Sequence, residues 1–454
     1  MTPAMTTLKT GDLILMRSAD NQLQVGERIG RGGQGTVFRT EINGRQMAVK
    51  WYPLSNNRLF DEQMRANLTK LVNDGRPASA AFIWPIDMVS SPGREGFGYL
   101  MPMVESRFIT CFQMISDTAT ETPHFDIMIK IGLNLAEAFA SLHGKGLCYR
   151  DISFGNLYVD PKTGDVAIID NDNVGTTGSE AFVRGTPDFM APEVMLDEAP
   201  PGTESDLYSL ALFLFYLFCH GHPLKGQAVE NSYNSQERDE LTDDELILKH
   251  FGNRPVFVFD PGDSSNRPVP DDPIEAWWKI YPRLFQDLFI RSFTTGLKEA
   301  TLLGRLTEGV WRKALYRLSD CVWECDNAAC QAGLLFDASD LHKACWRCGR
   351  VPEAPLLLTT PNSELVLWHG AVLTGRQLLL PGRQDEAIAE ASLDSRFPGA
   401  VLLRNLTDQA WELRVAGEEP KQVRPGQRLL ARPMKLTIAG KPTAIVRAGT
   451  KEAA

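Results

Sequence analysis

No stretch of the 454 residues reaches the roughly 18 apolar positions of a membrane span, and the longest apolar run, Leu207 to Cys219, reads as a buried helix. Met1 to Gly11 lacks a cationic stretch followed by an apolar run, so nothing resembles a signal peptide and the expected location is cytoplasmic. Low-complexity tracts and repeat periods are missing as well. With 43% hydrophobic, 23% charged and 9% aromatic residues, the chain reads as an ordinary globular protein long enough for about three domains. Positive charge is in deficit: 47 Lys and Arg stand against 57 Asp and Glu, a net −10 that repels nucleic-acid phosphates and acidic headgroups. Neither nucleic acid nor membrane is therefore an expected partner. Val401 to Ala454 is the exception, with ten Lys or Arg against five Asp or Glu, a local +5 that leaves −15 for the rest. Cysteine is sparse too. Five of the eight crowd into Cys321 to Cys348, while Cys111, Cys148 and Cys219 stand alone in apolar surroundings as core residues. Clustering of that kind points to metal ligands in a reducing compartment.

Along the chain, β-type segments surround a glycine cluster at Leu23 to Arg39, and further strands are expected at Gln46–Tyr52, Ala81–Met88 and Gly96–Met103. Arg58 to Asn73 has helical spacing. Helical patterns return at Phe125–His143, Leu207–Cys219 and Trp277–Leu318, so a small β-rich lobe precedes a mainly helical one. The polar stretch His222–Pro273 reads as a surface excursion with a short ordered element at Pro255–Phe259. Pro352 to Pro361 reads as a linker, and Leu365 to Arg447 alternates short apolar runs with turns such as Pro381-Gly382, Pro398-Gly399 and Pro425-Gly426, the pattern of an all-β sandwich or barrel.

Three motifs carry chemistry. Gly30-Arg31-Gly32-Gly33-Gln34-Gly35, preceded by Ile29 and followed across Thr36 by Val37, offers side-chain-free backbone whose N–H groups can approach phosphates. Strands on both sides disfavour a dinucleotide site, where a helix should follow. Fifteen residues after Gly35, the run Met47-Ala48-Val49-Lys50 ends on a cation suited to the α- and β-phosphates. Glu62 on the next helix is the expected carboxylate partner, with Asp61 as competitor. Finally, Tyr149-Arg150-Asp151-Ile152-Ser153-Phe154-Gly155-Asn156 is followed, after a hydrophobic strand, by Asp170-Asn171-Asp172. Asp151 can orient a hydroxyl and accept its proton, while Asn156 and Asp170 supply hard oxygen ligands for Mg²⁺.

Over about Leu23 to Leu318 these motifs resemble the eukaryotic-type (Hanks-type) bacterial protein Ser/Thr kinases, with Ala191-Pro192-Glu193, Asp206 and Arg305 also in family positions. The resemblance implies ATP and Mg²⁺ or Mn²⁺ as cofactors and protein hydroxyls as substrates. It implies a first lobe at 23–103 and a second at 104–318, after a strand or extension at 1–22. Ala48 and Met101 then line the adenine pocket, Met103 and Val104 form its hinge, and Glu193 pairs with Arg305. Thr186 matches the threonine associated with Ser/Thr specificity. Thr176, Thr177 and Ser179 are candidate phosphorylation sites for Arg150 to grip, or simple spacers. Four positions depart from the pattern: Tyr149 for the usual His, Ser153 for Lys, and Asn171-Asp172 for Phe-Gly.

Cys325 and Cys330 form one pair; fourteen residues later, Cys345 and Cys348 form a C-x-x-C-G knuckle. Four thiolates on two turns suit structural Zn²⁺ in a ribbon over 319–351, with Cys321 as a substitute for Cys330 and His342 a weaker candidate. The expected architecture is α+β: a bilobal protein-kinase-like fold, a small zinc ribbon, a linker at 352–364 and an all-β sandwich-like domain at 365–450. This ensemble is similar to kinases associated with tellurite-resistance-type von Willebrand A proteins and a metal-dependent phosphatase, which implies partners of those types. The tail is similar to a forkhead-associated sandwich in which no phosphothreonine-reading set of Arg, Ser and His is located. The rival reading is an ATP-binding pseudokinase scaffold.

Overall fold

A computed structural model describes residues 7–450 apart from 20, 33–34, 117–124, 179–183, 237–239, 398 and 415–418. Gly33 and Ser179 therefore lie outside the described residues, as does Pro398 of one expected turn. The chain divides into two compact units. One comprises Met1–Pro123, Lys130–Asp271 and Phe289–Arg312; the other comprises His124–Ile129, Asp272–Leu288 and Lys313–Ala454.

The first unit opens with a seven-stranded antiparallel sheet: β1 (Leu13–Met16), β2 (Gln22–Gln24), β3 (Arg28–Arg31), β4 (Thr36–Ile42), β5 (Arg45–Pro53), β6 (Asp87–Ser90) and β7 (Gly96–Pro102), in the order β2-β1-β6-β7-β5-β4-β3. The expected N-terminal strand thus belongs to the sheet at Leu13–Met16, since β1 pairs with both β2 and β6. Strand periodicity sorts β5 to two faces. Val49 and Trp51 enter a core with Leu8, Ile14, Leu23, Phe38 and Leu100. Ala48 and Tyr52 enter another with Tyr99, Met101 and the inner face of α1 (Arg58–Asp74), represented by Met64 and Leu68. Lys50, between Ala48 and Tyr52 in the alternation, therefore shares the second face. Residues 81–86, expected as a strand, are held mostly by single bonds to neighbouring segments, among them an isolated bridge from Phe82 to Ile168.

In the helical lobe, α2 (Cys111–Ile115), α3 (Phe125–His143) and α4 (Pro192–Met195) precede α5 (Thr203–Cys219), of which fourteen residues are buried. A helix apolar on all sides belongs at the centre of a domain, and α5 occupies that place. The polar stretch after it is not simply a surface excursion. Leu224, Phe257 and Val258 are fully buried, and Phe257 packs edge-on against Phe215 of α5 at 5.6 Å between ring centroids. Asn266 locks the stretch inward by donating to the carbonyls of Leu224 and Val256. Its aromatic residues outweigh its polar composition.

In the second unit, a hairpin of β8 (Val322–Glu324) and β9 (Gly333–Leu335) accompanies the helix Ile274–Ile280. Trp277 meets Trp346 at 5.9 Å, and Lys343 donates to the Ile280 carbonyl at 2.8 Å. These contacts explain why residues 272–288 group here rather than with the lobe that their sequence position suggested. The C-terminal part forms a six-stranded and a four-stranded antiparallel sheet around one shared core that includes Leu358, Ile388, Leu403, Trp411 and Ile445. Its first strand, Leu356–Thr359, lies inside the expected linker and pairs with the last strand, Lys441–Arg447. Prolines at 352, 355 and 361 mimic a linker in the sequence, but Leu357 and Leu358 between them are buried.

Candidate active site

Beyond β3, Gly32 N–H donates to the Gly35 carbonyl at 2.9 Å. A Cβ on Gly35 would stand 2.8 Å from the Trp51 carbonyl oxygen, so only glycine lets this loop close over β5. Val37 and Ala48 adjoin Lys50 and Met101 through the strand register, whereas Ile29 is 40% exposed on β3. Met103 and Val104 are half-buried just beyond β7.

The catalytic-loop motif hangs from α5. Both carboxylate oxygens of the buried Asp206 accept backbone N–H groups, from Tyr149 at 2.5 Å and Arg150 at 2.7 Å. Arg150 has φ +76°, a conformation that a non-glycine residue keeps only when its surroundings fix it. Its guanidinium donates to the Thr176 carbonyl at 2.7 Å and thereby holds the start of the activation segment. Tyr149, at the position of the usual histidine, is fully buried and donates its hydroxyl to the Ile169 carbonyl. Asp151 accepts from Thr186 Oγ1 and from Asn156 Nδ2, each at 2.8 Å. Burial raises the Asp151 pKa, with those two hydrogen bonds opposing the rise. Asn156 spends its Nδ2 on Asp151, an orientation that leaves its amide oxygen for a cation.

Asp170 takes the left-handed conformation, φ +53°, at the entry to a 3₁₀ turn over Asn171–Asn173. The buried Asn171 amide donates to the carbonyls of Ile83 and Ile168, a polar anchor where the family places an apolar ring. Lys50 Nζ lies 3.1 Å from Asp170 Oδ1 and 2.8 Å from Asp172 Oδ2. Burial alone would pull the Lys50 ammonium down, but the Asp172 and Asp170 charges more than offset it and hold its pKa above the ordinary value. Burial works against the Asp172 carboxylate as well; Lys50 and the Tyr52 hydroxyl together keep its pKa below the usual range.

The expected pairing of Lys50 with Glu62 is corrected. Glu62 is 61% exposed and bridges Arg58 at 2.7 Å, one turn back on α1, because its helical phase points it to solvent. Asp61 faces inward but accepts the Ser55 N–H at 2.9 Å. The helix instead reaches the site through Asn67, whose Nδ2 donates to the carbonyls of Asp172 and Val174. Sequence reasoning missed Asp172, Tyr52 and Asn67. The one available signal was a second acidic residue at the end of the metal motif.

Two buried ionic groups brace this arrangement. Arg305 and Glu193 form a bidentate pair with both contacts at 2.7 Å, and Arg305 also donates to the Glu204 carbonyl. His143 stands between Asp206 Oδ2, at 3.0 Å, and Glu308. Burial lowers the imidazole's pKa, but the two carboxylates prevail and raise it to about 9.

In the second unit, Cys325, Cys330, Cys345 and Cys348 gather their sulfur atoms within 4.8 Å of one another. Sulfur pairs stand 3.7 Å apart for Cys325–Cys348 and 3.8 Å for Cys330–Cys345. A tetrahedron with metal–sulfur bonds of about 2.3 Å has edges of about 3.8 Å, so the set fits a four-coordinate ion. Cys321 is outside it, donating its thiol to the Arg317 carbonyl.

Gly35 packed against the lysine-bearing strand, and a carboxylate–amide loop hung from a buried helix, are the parts expected of a phosphoryl-transfer domain. Residues 23–254, half of the chain, match the family model of the protein kinase domain, and the chain belongs to that family. It is 26% identical over 228 residues to the probable serine/threonine-protein kinase drkD of Dictyostelium discoideum, covering 48% of this chain and 17% of that protein. To serine/threonine-protein kinase PknD of Protochlamydia amoebophila it is 24% identical over 254 residues, 48% of this chain and 25% of the relative. AfsK of Streptomyces coelicolor is 27% identical over 207 residues, 43% and 24% respectively. The chain thus spans a quarter or less of the length of each of these relatives. Among the described residues, no helix is long and apolar enough to cross a membrane.

Proposed function

We propose that this chain is an ATP-dependent protein Ser/Thr kinase that transfers the γ-phosphoryl group to protein hydroxyls, its own included. The observation that carries the reading is the pairing of Lys50 with Asp170 and of Asp151 with Asn156, on segments joined by the hydrogen bond from Ile169 N–H to the Asn156 carbonyl, with Thr186 fixed on Asp151. Lys50 would hold the α- and β-phosphates, and the loop from Gly30 through Gly32 and Gly35 would cover them. Ile29, Val37, Ala48, Met101, Met103 and Val104 would enclose the adenine. Asp170 and Asn156 would hold Mg²⁺ or Mn²⁺, which neutralises phosphate charge when bound. Asp151 orients the acceptor hydroxyl and takes up its proton, a role that suits a carboxylate whose pKa burial has raised.

The four-cysteine group would hold structural Zn²⁺, since its donor set and sulfur spacing match a closed tetrahedral site. Four thiolates available to a metal suit a reducing compartment, and a cytoplasmic location is part of the proposal. Von Willebrand A proteins and a metal-dependent phosphatase are the proposed partners, on the resemblance of the domain ensemble alone.

The test is transfer of ³²P from labelled ATP with Mg²⁺ or Mn²⁺ to the protein itself and to a generic acceptor. Label should appear on serine or threonine in the wild type and vanish in Asp151→Asn and Lys50→Ala. Nucleotide binding without label in the wild type would replace the kinase with a pseudokinase scaffold, a reading to which Ser153, standing in for the family's lysine, lends weight.

A further inference from the structure

Resting on the kinase reading, we propose that Asp172 is the positioning residue for Lys50, so that the phosphate-contacting cation is set by the metal loop and not by a carboxylate of α1. Asp172 is 4% exposed, its Oδ2 is 2.8 Å from Lys50 Nζ, and the Tyr52 hydroxyl donates to the same oxygen. Tyr52 lies two residues beyond Lys50, on the same face of β5, so strand and loop clamp the carboxylate from both sides of the ammonium. Neither acidic residue of the inner half of α1 competes. Glu62 is turned out onto Arg58, and Asp61 caps the Ser55 backbone.

The arrangement changes what holds the site together. A carboxylate on a mobile helix makes the lysine's position depend on where the helix stands. Here Lys50, Asp170 and Asp172 form one ionic group across β5 and a single turn, and α1 is only latched to it through Asn67. Displacing α1 would break two amide hydrogen bonds and disturb the packing of Met64 and Leu68 with Tyr52, but would take no carboxylate away from Lys50. A glycine at 172, the family residue, would leave Lys50 with Asp170 alone, a carboxylate also needed for the metal. The aspartate therefore compensates within the motif for a helix whose one inward-facing acidic residue near the site, Asp61, is spent on the Ser55 backbone.

A double-mutant cycle on the full chain tests this, reading ATP KM and kcat together with the affinity for a fluorescent ADP in the presence of Mg²⁺. Asp172→Asn should lower kcat/KM by about 30-fold or more, while Glu62→Ala stays within about twofold of wild type. Because Asp172 acts through Lys50, adding Asp172→Asn to Lys50→Met should cause little further loss in activity or nucleotide affinity. Losses that multiply in the double variant would overturn the proposal, as would a Glu62→Ala defect equal to that of Asp172→Asn. If Asp172→Asn does not fold, Asp172→Glu serves instead. It keeps the charge at a longer reach, and its affinity loss should be partial in the Lys50 background and absent in the Lys50→Met background; equal losses in both would refute the idea. Should the wild type bind nucleotide yet transfer nothing, the kinase reading fails while the affinity cycle still decides the role of Asp172.

Discussion

Replacing His143 with Gln removes a cation held between Asp206 and Glu308 beneath the catalytic loop. The imidazole is 8% exposed and its pKa is raised to about 9 from an ordinary 6.5. A folded-state pKa above the unfolded one means the protonated form is favoured by folding. Its stabilisation is complete below about pH 6.5 and is lost as pH rises through about 9. A shift of that size corresponds to about 3 kcal/mol. For a unit of this size, that is a difference in melting temperature of roughly 6–12 °C between wild type and His143→Gln near pH 6, closing to nothing by about pH 10. Thermal unfolding of the two proteins, followed in parallel across that pH range, measures the difference. Titrating groups away from His143 cancel because both proteins carry them; Glu308, whose pKa His143 helps hold below its ordinary value, does not. A gap that is constant with pH, or that widens as pH rises, would refute the argument that the two carboxylates keep His143 charged.

Two further outcomes follow from other parts of the structure. Arg305→Ala leaves Glu193 buried without its bidentate partner and should destabilise the first unit by about 3–5 kcal/mol, visible in its melting temperature; Arg305→Lys should recover only part of it, since an ammonium cannot match the fork geometry. Cys345→Ser should abolish stoichiometric zinc as measured by atomic absorption, and a strong chelator should produce the same loss in the wild type, whereas Cys321→Ser should retain the metal.

Much of the site was legible because its chemistry sits in short motifs whose order and spacing constrain what can meet. Lys50 ends an apolar strand run, Asp170 follows another, and the two side chains lie 3.1 Å apart. The Lys50–Asp172 contact was not legible because it joins residues 122 positions apart through the geometry of one turn. The Glu62 expectation failed on helix phase. Spacing of Met64, Leu68 and Leu71 fixes the inner face of α1 and turns position 62 outward. In the second unit, turn residues located the β-rich region, but proline content hid its first strand. Composition also misjudged the segment after α5, where a few phenylalanines decide burial against a polar majority.

Asp206 ties the backbone of Tyr149 and Arg150 to a helix whose surroundings are almost wholly apolar. The reference frame for the reacting groups is consequently the oil of the interior and not the surface of the cleft. Substitutions such as Phe213→Leu or Leu210→Val, invisible to any substrate, can then shift Asp151, the proposed base, by fractions of an ångström. A screen for inactive variants should therefore return hits along α5 that fold, bind nucleotide and yet turn over slowly.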